Sequence, residues 1–352
     1  MALPNNTVVL TALVLPLLTY LAFRWRFQNG KGKAEDLPAP TEITQLMIYP
    51  IKSCHGISVP RARLLPTGLD LDRHWMWVTY PDYKFLTIRN LAKMTLIRPT
   101  YDTEKDVLAV TAPSPKPGGQ DLFFSISAHP SKAWLDANCQ VVSATVWSTT
   151  TPSYCISPAL TAPFDAFFGK EVRLVYKPPF SDSPRALASN GSKEILGRDA
   201  STCFPDLMPV LVGCENSIAE LNGRLKDKEG IEIPIQRFRP NVIVKGHGAW
   251  SEDSWKTLRI AGNTGEEASV VLDVTQRCAR CRVPNVDTET AEEHKTEPWD
   301  TLMKYRRVDE GIKWKPCFGM LCVPRGKGGV VEVGGRLEIT EVTKEHRYVP
   351  GF

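Results

Sequence analysis

The sequence predicts a mostly β protein with some helix, organised as two β-rich domains behind an apolar N-terminal segment. Closely spaced apolar or alternating runs fill the first half of the chain, and the second half mixes such runs with helical ones. The 28 prolines outnumber the 24 glycines, which favours short strands and turns over long helices. The length of 352 residues suits one or two domains plus an appendage.

Composition excludes several classes of protein. Apolar residues make up 42% and charged residues 23%, so a wholly disordered, collagenous or coiled-coil protein is excluded. The formal charge of +4 is too small to make nucleic acid the main partner. The nine cysteines are an odd number without a regular framework, which favours free thiols in a reducing compartment.

The first 27 residues predict a membrane anchor. Val8–Phe23 is nearly all apolar and is followed at once by Arg24 and Arg26. A cleaved signal peptide is the alternative, but it would need positive charge before the apolar run and a small-x-small site after it. We therefore expect an uncleaved transmembrane helix with the body of the protein on the cytosolic side, followed by a linker at residues 28–40.

Residues 41–180 form the first predicted domain, a strand-built barrel or sandwich. A short helix is expected at Leu160–Gly169. The predicted strands are Ile43–Ile51, Ile57–Leu65, His74–Tyr80, Phe85–Arg89, Met94–Tyr101, Val107–Thr111, Leu122–Ile126, Val141–Trp147 and Val172–Tyr176.

Residues 181–345 form the second predicted domain, and the polar stretch Pro178–Arg198 is expected to be a connection or a surface excursion. Helices are expected at Asn216–Leu225 and Pro298–Arg306. The predicted strands are Pro209–Val212, Val242–Lys245, Thr257–Ile260, Ala268–Val274, Phe318–Val323, Val330–Val333 and Arg336–Thr340.

One cysteine pair is a candidate for chemistry. Cys278 and Cys281 have the two-residue spacing that brings two thiols to one site, and they follow a predicted strand. Arg280 and Arg282 flank Cys281 and favour its thiolate, the form that binds a soft metal. No glycine-rich phosphate loop and no paired histidine spacing competes with this candidate.

The cysteine pair has two other interpretations. A four-thiolate zinc site would add Cys317 and Cys322, but these lie five residues apart in a predicted strand and would point to opposite faces. A thioredoxin-like redox pair would have to open a helix after the first strand of a βαβ unit. Neither context matches the sequence well.

The order of several short motifs resembles the MOSC family, and within it the amidoxime-reducing molybdenum proteins of the mitochondrial outer membrane. The match runs from about residue 41 to residue 340. The motifs that carry it are Tyr49–Cys54 (YPIKSC), Gly68–Trp75 (GLDLDRHW), Thr87–Arg89 (TIR), Phe238–Val242 (FRPNV), Glu252–Trp255 (EDSW), Cys278–Cys281 (CARC) and Pro316–Gly319 (PCFG).

This resemblance implies an N-terminal MOSC-type β-barrel domain, a MOSC domain and a molybdenum–molybdopterin cofactor. By motif position the metal ligand and catalytic residue is Cys281. Cofactor contacts are implied for Lys52, Ser53, Arg73, Asp206, Arg239, Asn241 and Arg280. The first three would hold the cofactor's phosphate, because ammonium, hydroxyl and guanidinium groups suit a monophosphate.

The chain departs from the family pattern in two places. The residues after Cys281 lack the usual run of threonines, and apolar Leu207 and Met208 stand where hydroxyl residues are common. Hydroxyl contacts to the cofactor are therefore not expected from these positions.

The implied activity is reduction of N-hydroxylated compounds such as amidoximes and hydroxylamines, with nitrite as a further candidate. Electrons would come from cytochrome b5 and its NADH-dependent reductase, and the implied location is the mitochondrial outer membrane, with the endoplasmic reticulum as the alternative. Two other functions stay open. One is a sulfur-carrying or cofactor-delivery module of the cofactor-sulfurase type, and the other is a membrane tether with a degenerate site.

Overall fold

The computed structural model describes residues 37–261 and 269–351. The predicted membrane anchor lies outside these residues, as does most of the predicted linker. Among the residues described, no helix combines the length and the apolar character needed to cross a bilayer.

The described residues are mostly β-structure, as the sequence predicts. The strands are β1 (Thr41–Ile48), β2 (Ile57–Val59), β3 (Arg61–Leu65), β4 (Gly68–Leu69), β5 (Trp75–Thr79), β6 (Arg98–Asp102), β7 (Val107–Ala112), β8 (Leu122–Ser127), β9 (Gln140–Val146), β10 (Thr149–Cys155), β11 (Val172–Tyr176), β12 (Arg185–Ala186), β13 (Ser201–Thr202), β14 (Val210–Cys214), β15 (Val242–Val244), β16 (Trp255–Ile260), β17 (Val270–Ala279), β18 (Cys317–Arg325), β19 (Gly329–Glu332) and β20 (Arg336–Val342).

Helices are few and mostly short. The α-helices are α1 (Lys132–Asn138), α2 (Pro158–Thr161), α3 (Pro163–Phe168), α4 (Lys193–Leu196), α5 (Glu215–Glu229) and α6 (Trp299–Tyr305). Single turns of 3-10 helix are found at Ala92–Leu96, Ser189–Gly191, Ile235–Phe238, Ser251–Ser254 and Val283–Asn285.

The largest sheet has eight strands in the order β15-β14-β18-β17-β16-β20-β1-β2, and pairing of β1 with β15 closes seven of them into a barrel, with β2 attached to β1. Its strand pairs are antiparallel except for β14 and β15. In the closing pair Leu46 lies opposite Val242, so the first strand of the chain completes a barrel built mainly by the second half. Closure removes most of the free edges that an open sheet would expose.

Three smaller sheets cover the first half: β5-β11-β10-β9, β6-β7-β8 and β19-β3-β4. The last one joins the two halves again, because Val331 of β19 pairs with Ala62 of β3. Trp77 of β5 is fully buried and stacks on Phe164 with ring centroids 5.1 Å apart. Burying an aromatic side chain of this size contributes roughly 4 kcal/mol.

Several predicted elements differ from the structure. The predicted strand Met94–Tyr101 begins within the 3-10 turn Ala92–Leu96, and only its end belongs to β6. The predicted strand Ile57–Leu65 is divided into β2 and β3 at Pro60. The predicted strand Phe85–Arg89 is wrong, because the segment makes only isolated bridges and then turns. The predicted helix Leu160–Gly169 is divided into α2 and α3, with Pro163 opening the second helix since it lacks an amide hydrogen. The strand predicted to end at Val274 continues as β17 to Ala279, next to the cysteine pair.

Gly319 explains one of the sequence motifs. It lies within β18 with a φ of 76°, and a Cβ atom there would stand 2.8 Å from the carbonyl oxygen of Val212 in β14. Only glycine fits both the left-handed backbone and the close approach of the neighbouring strand. The residue therefore fixes how β18 lies beside β14, on the side of the barrel that carries the candidate site.

Candidate functional site

A cavity of about 340 Å³ is lined by all eight residues for which the resemblance implies a role. They come from distant parts of the chain, between residues 52 and 281, and the barrel brings them together. The lining residues are Lys52, Ser53, Arg73, Thr87, Ile88, Arg89, Trp147, Pro205, Asp206, Leu207, Met208, Leu211, Phe238, Arg239, Asn241, Cys278, Ala279, Arg280, Cys281, Val283, Ile312, Lys315, Leu321 and Tyr348.

The two cysteines of the pair have different surroundings. Cys278, near the end of β17, is buried, and its Sγ accepts a hydrogen bond of 3.0 Å from Arg280 Nη1. Arg280 is itself held by Phe238, whose carbonyl oxygen accepts from Nη2 at 2.8 Å. Cys281 lies just beyond the strand and is partly exposed in the cavity. Cys281 is therefore the thiol positioned to bind a ligand.

The zinc interpretation fails on geometry. In the described part of the chain, which includes all four cysteines in question, no three His, Cys, Asp or Glu side chains are grouped so as to hold a metal ion. Cys317 and Cys322 are both buried, and burial raises the pKa of each thiol. Among the described residues, the lack of a four-thiolate grouping is what argues against a zinc site.

One side of the cavity is a chain of charges. Lys52 is buried, forms an ion pair with Asp206 and donates to the carbonyl oxygen of Phe204 at 2.8 Å. Burial lowers the pKa of Lys52 to about 8, and the attraction of Asp206 opposes that shift. Arg89 Nη2 lies 3.3 Å from the second oxygen of Asp206, and Arg89 Nε donates to Cys281 Sγ at 3.4 Å. This chain links the predicted phosphate contact to the predicted metal ligand.

Asp206 is ionised at neutral pH. Removal from water would by itself raise the pKa of this carboxyl, but the positive charges of Lys52 and Arg89 hold it below its usual range. The single carboxylate thus holds two cations, Lys52 and Arg89, at the edge of the cavity, and one net positive charge remains.

A second group of polar residues lies beside Tyr49. Arg73 Nη1 donates to Asp72 at 2.5 Å and to Asn241 Oδ1 at 3.2 Å, and its Nη2 donates to the Arg239 carbonyl oxygen at 3.2 Å. The guanidinium groups of Arg73 and Arg239 lie 4.4 Å and 4.1 Å from the Tyr49 ring centroid. Cation–π contact with Tyr49 therefore positions both arginines before any ligand is bound, and hydrogen bonds fix the guanidinium of Arg73 as well.

Asn241 is a structural centre of this group. Its Oδ1 accepts from the backbone amide of Leu211 at 3.1 Å, and its Nδ2 donates to the carbonyl oxygen of Met47 at 3.2 Å. The side chain therefore joins β14, β1 and Arg73, and it is almost fully buried. In this structure Asn241 positions the neighbouring arginine.

Three of the predicted site residues have left-handed backbones: Ser53, Arg73 and Arg239, with φ of 68°, 52° and 59°. This conformation is uncommon outside glycine and costs about 1–3 kcal/mol for each residue. It persists only where the surrounding structure holds it, and such residues concentrate at functional sites.

Comparison with known proteins identifies the family. A profile described as "MOSC N-terminal beta barrel domain" matches residues 41–171, and one described as "MOSC domain" matches residues 199–338. "Mitochondrial amidoxime reducing component 2" of Bos taurus is 32% identical over 305 residues, which cover 84% of this chain and 82% of that protein.

The chain belongs to the MOSC domain family. "Mitochondrial amidoxime-reducing component 1" of Danio rerio is 30% identical over 306 residues, covering 86% of each chain. "Molybdenum cofactor sulfurase" of Arabidopsis thaliana is 29% identical over 296 residues, which cover 79% of this chain and 32% of that protein.

The cavity of this MOSC protein suits an anionic ligand such as the phosphate-bearing molybdenum cofactor. Six of its lining side chains are Lys or Arg and one is a carboxylate. Arg239 Nη2 is buried in the described structure with no hydrogen-bond partner, so a donor stands ready for an acceptor. Burial lowers the pKa of Arg239 to about 10, and the nearby charge of Arg73 adds to that shift, which an anion would relieve. The residues present therefore fit the group.

The sequence motifs did not single out every residue of the site. Arg89 was recognised as part of a motif but was assigned no role, although its side chain contacts both Asp206 and Cys281. Its guanidinium lies 4.2 Å from the Trp147 ring centroid. Tyr348, beyond the matched MOSC residues, also lines the cavity. The TIR motif could have pointed to Arg89, whereas no sequence motif marks Trp147 or Tyr348.

Proposed function

We propose that the protein is a molybdenum-cofactor oxidoreductase that reduces N-hydroxylated compounds of the amidoxime and hydroxylamine type, with nitrite as a further candidate. The observation that carries the proposal is the meeting of all eight predicted residues in one cation-rich cavity beside a single partly exposed cysteine. The names of the relatives from Bos taurus and Danio rerio support the reaction class.

The residues would divide the work of holding the cofactor. Cys281 would bind the metal through its thiolate, and Arg89 Nε donates a hydrogen bond to its Sγ. Lys52, Ser53 and Arg73 would hold the phosphate, and Arg239 has a donor free for it. When bound, the cofactor supplies the two electrons that, with two protons, convert N–OH to N–H and water. The chain's own contribution is orientation and charge.

Arg280 and Asn241 would support this arrangement through hydrogen bonds to neighbouring residues. Arg280 is bound to Cys278 Sγ and to the Phe238 carbonyl oxygen, which fixes the backbone that carries Cys281. Asn241 holds Arg73 in place, as described above. Both would act mainly by holding the ligand-binding residues in place before the cofactor binds. Such preorganisation keeps the binding groups in the geometry that the cofactor needs.

Electrons are proposed to come from cytochrome b5 and NADH-cytochrome b5 reductase, since the sequence has no dinucleotide-binding motif of its own. Residues 1–27 are proposed to anchor the protein in the mitochondrial outer membrane with the catalytic body in the cytosol, and the endoplasmic reticulum is the alternative. The mitochondrial names of the relatives support the first location.

The test is metal analysis combined with turnover. The full chain is purified from a host that makes the pterin cofactor, its molybdenum content is measured, and NADH oxidation is followed with both donor proteins and an amidoxime. We expect near-stoichiometric molybdenum and amidoxime-dependent NADH oxidation. A protein that is folded but free of molybdenum would refute the proposal and favour a tether with a degenerate site.

Sulfur transfer is the second candidate, favoured by the similarity to the Arabidopsis thaliana sulfurase. Cys281 would then carry a persulfide, and the cavity would receive the cofactor only for delivery. Mass spectrometry of the peptide that contains Cys281 distinguishes the two functions. A mass increase of one sulfur atom without N-reductive turnover would favour sulfur transfer.

A further inference from the structure

The segment His346–Gly351, which we call the strap, follows β20 and reaches the cavity. Its backbone is held by side chains from elsewhere in the chain. Asn190 Nδ2 donates to the carbonyl oxygen of Arg347 at 2.8 Å, and Asn190 Oδ1 accepts from the amide of Val349 at 2.7 Å. These two bonds fix the strap on both sides of Tyr348.

Further bonds hold the same segment. Asp309 Oδ1 accepts from the amide of Tyr348 at 2.9 Å, and Arg277 Nη1 donates to the carbonyl oxygen of His346 at 2.9 Å. Ser189 Oγ donates to the carbonyl oxygen of Val349. Because most of these contacts are to backbone atoms, the strap is fixed largely independently of its own side chains.

The loop that carries Asp309 leaves no space behind the strap. A Cβ atom on Gly311 would stand 2.1 Å from the carbonyl oxygen of Tyr348, so the two backbones are in direct contact. Ile312 and Lys315, just beyond this glycine, line the cavity together with Tyr348. The strap and this loop therefore form one section of the cavity wall.

Tyr348 is the strap residue that lines the cavity, among the strap residues that the structure describes. Arg347, Val349 and Pro350 are exposed to solvent. The strap thus places one aromatic ring at the site and leaves its neighbours outside.

The cavity lining that Tyr348 joins is partly apolar. Leu207, Met208 and Ile312 line the same cavity, and so does the cation Lys315. If Lys52, Ser53 and Arg73 hold the cofactor's phosphate, the lining near Ile312 and Tyr348 is available to the organic part of a substrate.

We propose that Tyr348, held by the strap, sets the size of the organic group that can enter beside Cys281. This inference rests on the proposed function for the identity of the substrate, an N-hydroxylated compound with an apolar group. The effect on access to Cys281 does not depend on it. A bulky side chain at a pocket wall excludes larger groups by steric overlap, and such discrimination reaches roughly tenfold or more.

The first experiment measures access to the thiol. Full-length protein is made in a host without the pterin cofactor, its fold is checked by circular dichroism, and alkylation of Cys281 is followed by peptide mass spectrometry. Iodoacetamide is the small probe and a fluorescein maleimide is the bulky one. Tyr348→Ala should speed the bulky probe several-fold and the small probe little, and Tyr348→Trp should slow the bulky probe.

Two matched controls accompany this experiment. Tyr348→Phe keeps the ring and should behave as the parent protein, and Val349→Ala changes an exposed neighbour on the same strap. Asn190→Ala keeps the tyrosine but removes two of the bonds that hold it, so it should also speed the bulky probe. An unchanged ratio of bulky to small rates in both Tyr348→Ala and Tyr348→Trp would overturn the inference.

The second experiment uses the loaded enzyme. We expect Tyr348→Ala to raise kcat/KM for a large aromatic amidoxime relative to acetamidoxime by roughly tenfold, with molybdenum content unchanged. Altered alkylation in a protein that never reduces amidoximes would keep the strap inference and refute the function. Normal turnover with an unchanged size preference would support the proposed function and refute the strap inference.

Discussion

Cys278 and Cys281 differ in burial and partners, and this difference makes them separable by mutation. Cys281 is partly exposed beside Arg89, while Cys278 is buried under Arg280. We expect Cys281→Ser to abolish N-reduction, because a neutral hydroxyl replaces a soft thiolate poorly. Cys278→Ser should keep most activity, since serine can still accept from Arg280. The measurement is turnover together with molybdenum content in the two single mutants.

Equal loss of activity in both mutants, with both proteins still folded, would contradict the assignment of Cys281 as the sole protein ligand. Cys322→Ser is a control for the cost of changing a buried thiol, because that residue is buried in β18 and does not line the cavity.

Lys52 and Arg73 are both predicted phosphate contacts, yet the structure predicts different results when each is removed. Lys52→Ala leaves Asp206 partly exposed and still near Arg89, so the fold should survive. Arg73→Ala instead leaves the buried carboxylate of Asp72 without its cation, which costs about 3–5 kcal/mol for a buried pair. We therefore expect the barrel to stay intact in Lys52→Ala and to be destabilised in Arg73→Ala.

For Lys52→Ala we expect cofactor retention to weaken roughly ten- to a hundredfold, because a charge-assisted contact is worth about 1.5–3 kcal/mol. Pterin fluorescence after dialysis measures the retention, and the thermal midpoint reports the fold. Lys313→Ala, an exposed lysine outside the cavity, is the matched control. Full pterin occupancy in Lys52→Ala would remove this residue from the phosphate contact.

At this scale the sequence predicts site residues mainly from motifs, although it gives Arg89 of the TIR motif no role and does not point to Tyr348. Lys52, Arg239 and Cys281 could be recognised because each has a fixed position in a short run. Tyr348 could not, because its place in the cavity depends on long-range bonds from Asn190 and Asp309 to the strap backbone. Backbone contacts of this kind leave no pattern in the sequence.

At the scale of the structural elements, a charged histidine follows the last strand of the β6–β7–β8 sheet. His129, just after β8, lies 3.3 Å from Asp70 and 2.5 Å from Asp106. The carboxylates of Asp70 and Asp106 raise the pKa of His129 to about 9, above its ordinary value of 6.5, although burial opposes that shift. The imidazolium thus links the β6–β7 turn to the segment after β4.

This arrangement predicts a pH dependence of stability. Since the folded pKa exceeds the unfolded one, the contribution is full below pH 6.5 and is lost as the pH rises through about 9. About a third of the side chain is exposed, so solvent screening leaves roughly 1 kcal/mol. His129→Gln should lower the free energy of unfolding at pH 6 more than at pH 10, as measured by urea denaturation. An equal loss at both values would contradict this.

The elements that sequence reasoning missed share a physical cause. β10 was not predicted because its two buried positions are Thr151 and Ser153, so the alternation is polar throughout. It is a strand because it pairs along its whole length with β9. Helix α1 begins at the cap of Ser131, which accepts from the amide of Trp134, but only Leu135 of the helix is buried. Without tertiary contacts, neither sequence pattern can be distinguished from that of a loop.

At the scale of the whole molecule, the two halves of the chain cannot be separated cleanly. β1 closes the barrel of the second half, and β19 pairs with β3 of the first. The cavity uses both halves, since Lys52 and Arg73 face Arg239 and Cys281 within it. The predicted boundary near residue 180 remains a prediction, and expressing either half alone would remove part of the site.

The N-terminal segment is the part that should be removable. Residues Ala39–Phe352 group into one unit by their contacts, and every residue of the cavity belongs to it. We expect a chain that starts at Ala34 to be soluble without detergent, to fold and to carry molybdenum as the full chain does. The reason is that every described residue that lines the cavity lies at or beyond Lys52, while the apolar run Val8–Phe23 supplies the membrane affinity proposed for the protein.

Flotation with liposomes and metal analysis of both proteins check the two parts of this prediction separately. The full chain should float with the vesicles and the truncated chain should not. A full-length variant with two lysines in the apolar run, Leu13→Lys and Leu17→Lys, keeps the length but should lose membrane binding, because each buried charge costs about 2.5–3.5 kcal/mol. If the truncated protein stayed monodisperse yet lost its molybdenum, the anchor and the catalytic body would not be independent.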